Sequence, residues 1–294
     1  MNNNKSVSLV LGSGGARGLA HIGIIHELEK NGYSIDSISG CSMGALIGGV
    51  YAAGKLDDFE TWVREISKVD IVNLLDLAWQ SDGLVKGDKI INKLVDLVGD
   101  VQIEDLPIPY TAVAAEIVSG TEIWLTSGRL FDAIRASISL PLFFTPVPYK
   151  EGQLIDGGVL NPVPIAPTFA DDTDITIAVN LGGAPVDIEQ EAEQDNDDGD
   201  SATSVSEWVD GLFADVKMSF KRKVTRNWNA YDVANQAFDA MQSAIARQKL
   251  AAYPPDHEIE IARNACGTLE FNRADEMIEL GRRVAQEQLF RNSR

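Results

Sequence analysis

The pentapeptide Gly40-Cys41-Ser42-Met43-Gly44 matches GxSxG, the pattern in which a serine sits on a sharp turn between a strand and a helix. Glycines two residues either side of the serine present no Cβ to the neighbouring backbone. The serine oxygen is thereby pushed out at a helix N-terminus, where a developing oxyanion is stabilised. With Gly and Ser each at about 7% of residues, a chain of this length carries such a pentapeptide by accident about 0.1 times. Only its context makes it a nucleophile, and that context is here: a strand at Ile35–Ser39 before it and an apolar helix rich in Ala and Gly, running to Gly54, after it.

A second element, Gly12-Ser13-Gly14-Gly15-Ala16-Arg17-Gly18, follows the strand Val7–Leu11 and opens a helix, so its backbone N–H groups can face an anion. Three readings compete: a phosphate loop, an oxyanion hole, or a tight turn. No GK[ST] follows, which removes the P-loop. Ser13 stands where GxGxxG would need its first glycine before Gly15 and Gly18, which weakens a dinucleotide site, although Asp36 lies near the distance of a ribose-binding acid. Beside a nucleophile elbow the oxyanion role is the economical one.

A serine nucleophile needs a base. In hydrolase order the histidine of a Ser-His-Asp triad comes last, which leaves His257; His21, sharing a helical face with Ile25 and Leu28, reads as a packed histidine satisfied by backbone, and His26 does not read as catalytic. Asp156-Gly157-Gly158 offers a second base. It ends the short strand Gln153–Ile155, and its glycines let the chain turn so that the carboxylate projects toward a neighbouring site. A carboxylate held within about 2.6–3.2 Å of the serine and partly desolvated can take its proton directly. The dyad would be Ser42 and Asp156.

Taken in order, GSGGARG, GCSMG and DGG resemble the patatin-like phospholipases. Ala136-Ser137-Ile138-Ser139-Leu140-Pro141, Phe144-Thr145-Pro146 and Asn161-Pro162-Val163-Pro164 look like blocks of its bacterial members, and the likeness spans about 7–182. The resemblance implies an α/β chain with a three-layer α/β/α fold and a mostly parallel central sheet. It implies serine acyl-ester hydrolysis that releases fatty acids from phospholipid or lysophospholipid, with no cofactor, no metal and no catalytic histidine. Position by position it makes Ser42 the nucleophile, Asp156 the base, and Gly14, Gly15 and Ala16 the oxyanion loop, joined by the Met43 N–H. Arg17 matches the family's basic residue, with anchoring the loop or meeting a substrate phosphate both open. Two positions depart from the pattern: Ser13 replaces a glycine often found at the start of the loop, and Cys41 stands where Thr is more usual, as a small buried side chain.

The elements that must position these residues alternate short apolar runs with amphipathic stretches, as a parallel sheet with covering helices requires. Ala20, Ile24 and Leu28 mark a helix ending near Asn31-Gly32, and residues 57–99 are helical in pattern with a break at Leu84–Gly87. Tyr110–Val118 and Thr121–Leu125 read as a hairpin, Ser127 as the cap of a helix toward Ser137, and Ile175–Asn180 and Ile259–Ile261 as strands. Ala234, Ala237, Phe238, Met241 and Ile245 form the apolar stripe of a later helix, one helix ends in the basic cluster Lys221, Arg222, Lys223 and Arg226, and Ala274–Leu289 is an amphipathic terminal helix. Residues 187–200 hold eight acidic and no basic residues and read as a solvated loop. The division expected is a catalytic core over 5–186, an acidic mobile loop over 187–202 and a helical extension over 203–294 packed on the core.

Composition limits the partners. Of 294 residues, 25 are Lys or Arg and 44 Asp or Glu, a net charge of −19 that repels nucleic acid and anionic lipid head groups. Cys41 and Cys266 lie far apart without metal-ligand spacing. No signal-peptide pattern opens the chain, and no run approaches the roughly 18 apolar residues of a spanning helix. The expectation is a cytoplasmic protein that acts on a lipid or ester, binds no nucleic acid, and touches membranes peripherally if at all. The apolar cluster Ile71, Val72, Leu74, Leu75, Leu77 and Trp79 reads as core packing or as a lid, and homo-oligomer formation stays open. A catalytically idle interaction protein on the same scaffold is the rival reading, with a nucleotide-binding oxidoreductase third.

Overall fold

The computed structural model describes residues 5–74, 85–186 and 230–290. Two compact units are present, Met1–Pro185 with Ala240–Arg294, and Val186–Asp239. Within the described residues the strands are β1 (Lys5–Leu11), β2 (Tyr33–Cys41), β3 (Tyr110–Glu116), β4 (Thr121–Leu125), β5 (Val147–Tyr149), β6 (Gly152–Asp156), β7 (Ile175–Gly183) and β8 (His257–Ala262). The helices are α1 (Ala20–Lys30), α2 (Met43–Ala52), α3 (Leu56–Glu65), α4 (Lys68–Leu74), α5 (Asp88–Val98), α6 (Leu130–Ser137), α7 (Ala230–Ala252) and α8 (Ala274–Leu289).

All eight strands form one mixed sheet in the order β5-β6-β3-β2-β1-β7-β8, with β4 paired to β3 beside this path. The strands β3, β2, β1, β7 and β8 run parallel, β4 and β6 pair antiparallel with β3, and β5 pairs antiparallel with β6. Side chains alternate across the sheet, as the two-residue period of a strand requires. Val7, Leu9 and Leu11 of β1 and Ile177, Val179 and Leu181 of β7 enter the main core, built with α1, α2, α3, α5, α6 and α8. Val10 and Ala178 point the other way, to a smaller apolar cluster with Val163, Ile165 and Ala246 and Leu250 of α7. Helices and loops thus cover both faces of a mostly parallel α/β sheet. Each fully buried Leu or Ile on the main face contributes about 1.5–3 kcal/mol.

The hairpin expected at Tyr110–Leu125 is β3 and β4, and the late strand joins the first sheet as β8, parallel to β7. Residues 257–262 of the stretch expected to be a helical extension are therefore part of the central sheet. The helix toward Ser137 begins at Leu130, not after Ser127: Gly128, at φ 92°, turns the chain first, and Leu130 N–H donates to the Val101 carbonyl. The apolar stripe of α7 is also shifted, since Met241 lies 57% exposed while Gln242, Ser243, Ala246 and Leu250 are buried. Edge strand β5 carries no sequence signal because its central residue is Pro148. The acidic loop at 187–202, the basic cluster at 221–226 and residues 75–79 of the apolar cluster lie outside the described residues. No described helix is long and apolar enough to cross a membrane.

Candidate active site

The parallel register carries Ser42 and Asp156 to one end of the sheet. Cys41, the last residue of β2, pairs with Val113 of β3, and Ala114 of β3 pairs with Asp156 at the end of β6. Ser42 follows Cys41 by one residue, and β4 occupies the other edge of β3 at Ala114, so the end of β2 and the end of β6 meet along one edge of β3 with no strand between the serine and the carboxylate. The Ser42 hydroxyl lies near enough to the Asp156 carboxyl to lower its pKa.

Ser42 holds φ 55° and ψ −123°, a conformation that costs a non-glycine residue about 1–3 kcal/mol. The surrounding backbone imposes it. A Cβ on Gly40 would lie 2.6 Å from the Ala45 nitrogen, and one on Gly44 would collide with the Leu11 carbonyl, so both glycines are needed to seat the turn against β1. A serine at a helix N-cap ordinarily folds its hydroxyl back onto the helix. Here it makes no such cap, and the hydroxyl acts on the Asp156 carboxyl. The Ser42 N–H donates to Ser137 Oγ at 2.9 Å, and Ser137 Oγ donates to the Val113 carbonyl at 2.6 Å. Ser137 is fully buried, so the end of α6 braces the elbow.

Asp156 is buried, and burial raises its pKa to about 6. The Ser42 hydroxyl and hydrogen bonds from the Gly158 N–H at 2.7 Å and from Cys41 at 3.9 Å pull the other way without cancelling it. A carboxylate poised near neutrality beside a serine hydroxyl has the protonation behaviour of a general base. Burial pushes the Cys41 thiol well above its usual range, with the Asp156 charge adding to the effect, so Cys41 is an inert neighbour.

The glycine loop leaves the end of β1 beside β2. The N–H groups of Gly14, Gly15 and Met43 have no protein acceptor among the described residues. Ala16, expected beside them in the oxyanion set, instead donates its N–H to the Thr268 carbonyl at 2.9 Å and tethers the loop. Arg17, whose role the sequence left open, is 3% exposed. Its Nε donates to the Gly14 carbonyl at 3.0 Å and its Nη1 to the Arg263 carbonyl at 2.7 Å, an anchoring geometry. His21 is buried behind the loop with Nε2 2.9 Å from the Gly12 carbonyl, and burial lowers its pKa to about 4.

His257 does not join the site. It is exposed, three strands from β2, and level with Ile177 and hence with Leu9 and Ile38, four residues before Ser42. At about 4.8 Å per strand and 3.3 Å per residue the separation is about 20 Å. The metal-capable group His26, Asp57 and Glu60 is engaged by guanidinium groups: Glu60 takes Arg64 at 2.7 Å, and Arg282 lies 3.1 Å from His26 Nδ1. The sequence reading had no role for Ser137 or Thr268. Ser137 lay within a recognised block, whereas Thr268 carried no signal.

Residues 9–169 match the patatin-like phospholipase family. The chain is 37% identical to an uncharacterized NTE family protein of Mycobacterium tuberculosis over 96% of this chain and 91% of that one, with the same figures for a Mycobacterium bovis protein of that description. It is 30% identical to the lysophospholipase NTE1 of Pyricularia oryzae over 94% of this chain and 18% of that protein. It is 34% identical to the neuropathy target esterase sws of Drosophila virilis over 54% of this chain and 11% of that one. Among solved structures VipD from Legionella pneumophila aligns with a TM-score of 0.46 at 15% identity, covering 97% of this chain and 67% of that chain.

Proposed function

The chain belongs to the patatin-like phospholipase family, and from that premise we propose that it is a serine acyl-ester hydrolase working through a Ser42–Asp156 dyad on phospholipid or lysophospholipid. The observation that carries this reading is a strained serine set at the end of β2 beside a buried carboxyl at the end of β6, whose pKa burial raises to about 6 and the serine hydroxyl lowers in part. Relatives named as a lysophospholipase and an esterase support the substrate class. A net charge of −19 favours zwitterionic head groups over anionic ones.

In the proposed reaction Asp156 takes the Ser42 proton as Oγ attacks the ester carbonyl carbon. The carbonyl oxygen becomes an oxyanion held by the N–H groups of Gly14, Gly15 and Met43; one such donor is worth about 10²–10³ in kcat. Collapse breaks the ester C–O bond, and Asp156 returns the proton to the departing alcohol. Water then attacks the acyl-serine, Asp156 taking its proton, and the free acid leaves as Ser42 is reprotonated. The free N-terminal donors of α2 add a favourable field at the oxyanion.

Labelling with a fluorophosphonate and hydrolysis of lysophosphatidylcholine and p-nitrophenyl esters test this. Wild type is expected to label and turn over, Ser42→Ala to do neither, and His257→Ala to match wild type within twofold. Hydrolysis surviving in Ser42→Ala refutes the nucleophile, and a wild type that neither labels nor hydrolyses any ester supports the idle scaffold instead.

A further inference from the structure

Gln242 is 8% exposed on α7, while its neighbour Met241 is 57% exposed. Hydrophobicity alone would bury the methionine and expose the amide. A helix face that reverses this order is held by more than apolar contact, and local rules of this kind give way chiefly at functional sites. The face continues buried after Gln242. Ala246 and Leu250 pack with Val10, Val163, Ile165 and Ala178, and the buried Ser243 lies against Gly182 at the end of β7.

Gln242 Nε2 donates to Ser13 Oγ at 3.2 Å. Both groups converge on Gly158, the residue whose N–H holds Asp156. A Cβ on Gly158 would collide with Gln242 Nε2 and would stand 2.8 Å from Ser13 Oγ and 3.0 Å from Asp156 Oδ1. Groups from the glycine loop, the Asp156 turn and α7 therefore meet over one Cα, and Gly158 is the residue type that leaves them room. Ser13, the departure from the loop's usual glycine, supplies the acceptor.

We propose that Gln242 is a positioning residue of the acyl-transfer site: through Ser13 it fixes the glycine loop relative to Gly158 and the carboxylate that Gly158 holds. The inference rests on the dyad reading and adds to it a side chain from the far end of the sequence, 200 residues after the nucleophile. It acts through the loop and not on substrate. Other titratable or charged groups bear on Asp156 from every side. Cys41 of β2 touches it, and Glu122 of β4, paired with Lys249 of α7 at 3.6 Å, acts on Cys41. Arg135 of α6 bonds Ser139, whose carbonyl takes the Asp156 N–H, and Arg17 and His21 lie behind the loop. A new carboxylate at 242 would add a like charge on the remaining side.

The experiment measures fluorophosphonate labelling rate and p-nitrophenyl ester hydrolysis across pH for wild type, Gln242→Met, Gln242→Glu, Ser13→Gly and the Gln242→Met/Ser13→Gly double variant, with thermal unfolding alongside. Loss of one hydrogen bond of ordinary strength corresponds to about a fivefold fall in rate. Gln242→Met and Ser13→Gly are each expected to fall by about that factor, and the double variant to fall no further than the slower single one. Gln242→Glu is expected to move the acidic limb of the rate profile up by about one pH unit, which a purely structural role would not do. If Gln242→Met does not fold, the limb of the near-isosteric Gln242→Glu decides. A labelled wild type whose rates and limb are shared by Gln242→Met and Gln242→Glu, or single losses that multiply in the double variant, overturns the inference while the dyad stands. A wild type that does not label overturns both.

Discussion

Replacing Asp156 with asparagine separates the two consequences of burying a carboxylate. Burial holds the group at a pKa of about 6, against 3.8 for an ordinary aspartate. Below pH 4 it is protonated in folded and unfolded chains alike and contributes nothing to stability. Between about pH 4 and 6 the folded chain keeps a proton that the unfolded chain has released, so stability falls as pH rises. Above pH 6 the full cost of the buried charge is present, and a shift of about two units corresponds to about 3 kcal/mol. Asparagine carries no charge, can accept the Gly158 N–H and can offer its amide to Ser42 Oγ. Asp156→Asn is therefore expected to unfold at higher temperature than wild type at pH 8, by about 5 °C for a chain of this size, with the gap closing toward pH 4. Hydrolysis is expected to fall by about 10²–10⁴ with the loss of the base. The wild-type kcat/KM should lose tenfold per unit of acid below a midpoint near pH 6. Calorimetry at pH 4 and pH 8 with a kcat/KM profile makes the check. An Asp156→Asn protein less stable than wild type at pH 8, a stability gap that does not shrink in acid, or an acidic midpoint near 4 refutes the reasoning.

The braces around the dyad give further tests. Arg17→Lys should destabilise the chain by about 2–3 kcal/mol in denaturant unfolding and lower kcat/KM at least tenfold, because one ammonium cannot span the Gly14 and Arg263 carbonyls that the guanidinium reaches together. A Lys variant of wild-type activity would return the loop to self-support. Ser137→Ala leaves the buried Ser42 N–H and the Val113 carbonyl without their shared partner, a cost of about 1–3 kcal/mol. Its kcat should fall with KM nearly unchanged, since the elbow and not the binding surface is loosened; an effect on KM alone would place Ser137 elsewhere in the mechanism.

What the sequence could show of this site follows from what each residue needs locally. Gly40 and Gly44 are written into the chain because the turn at Ser42 cannot close with a Cβ at either position, and the Asp156 turn is marked by Gly157 and Gly158 for a similar steric reason. Strand alternation and helix periodicity gave the β1, α1, β2, α2 order, the β3–β4 hairpin and the terminal helix α8, since each of those patterns is a statement about near neighbours in the chain. Residues whose role depends on register between distant strands left no such mark. Ser137 braces Ser42 only because α6 ends beside the β2–α2 turn, Thr268 takes the Ala16 N–H from more than 250 residues away, and His257, eligible by its order in the chain, is set aside by the place of its strand in the sheet and its level along it.

Helix α7 shows the same limit most sharply. Its sequence carries two candidate faces one residue apart, and apolar counting selects the one with Met241. The fold selects the face with Gln242 and Ser243, because that face meets Ser13, Gly158 and Gly182, small residues that leave room for polar side chains to approach backbone. A buried polar face is stable only where its groups find partners, and the partner of Gln242 is supplied by a loop at the opposite end of the chain. The preference for burying Gln242 is thus a property of the assembled site, and the glycine loop, the Asp156 turn and α7 are best regarded as one unit whose parts become legible only together.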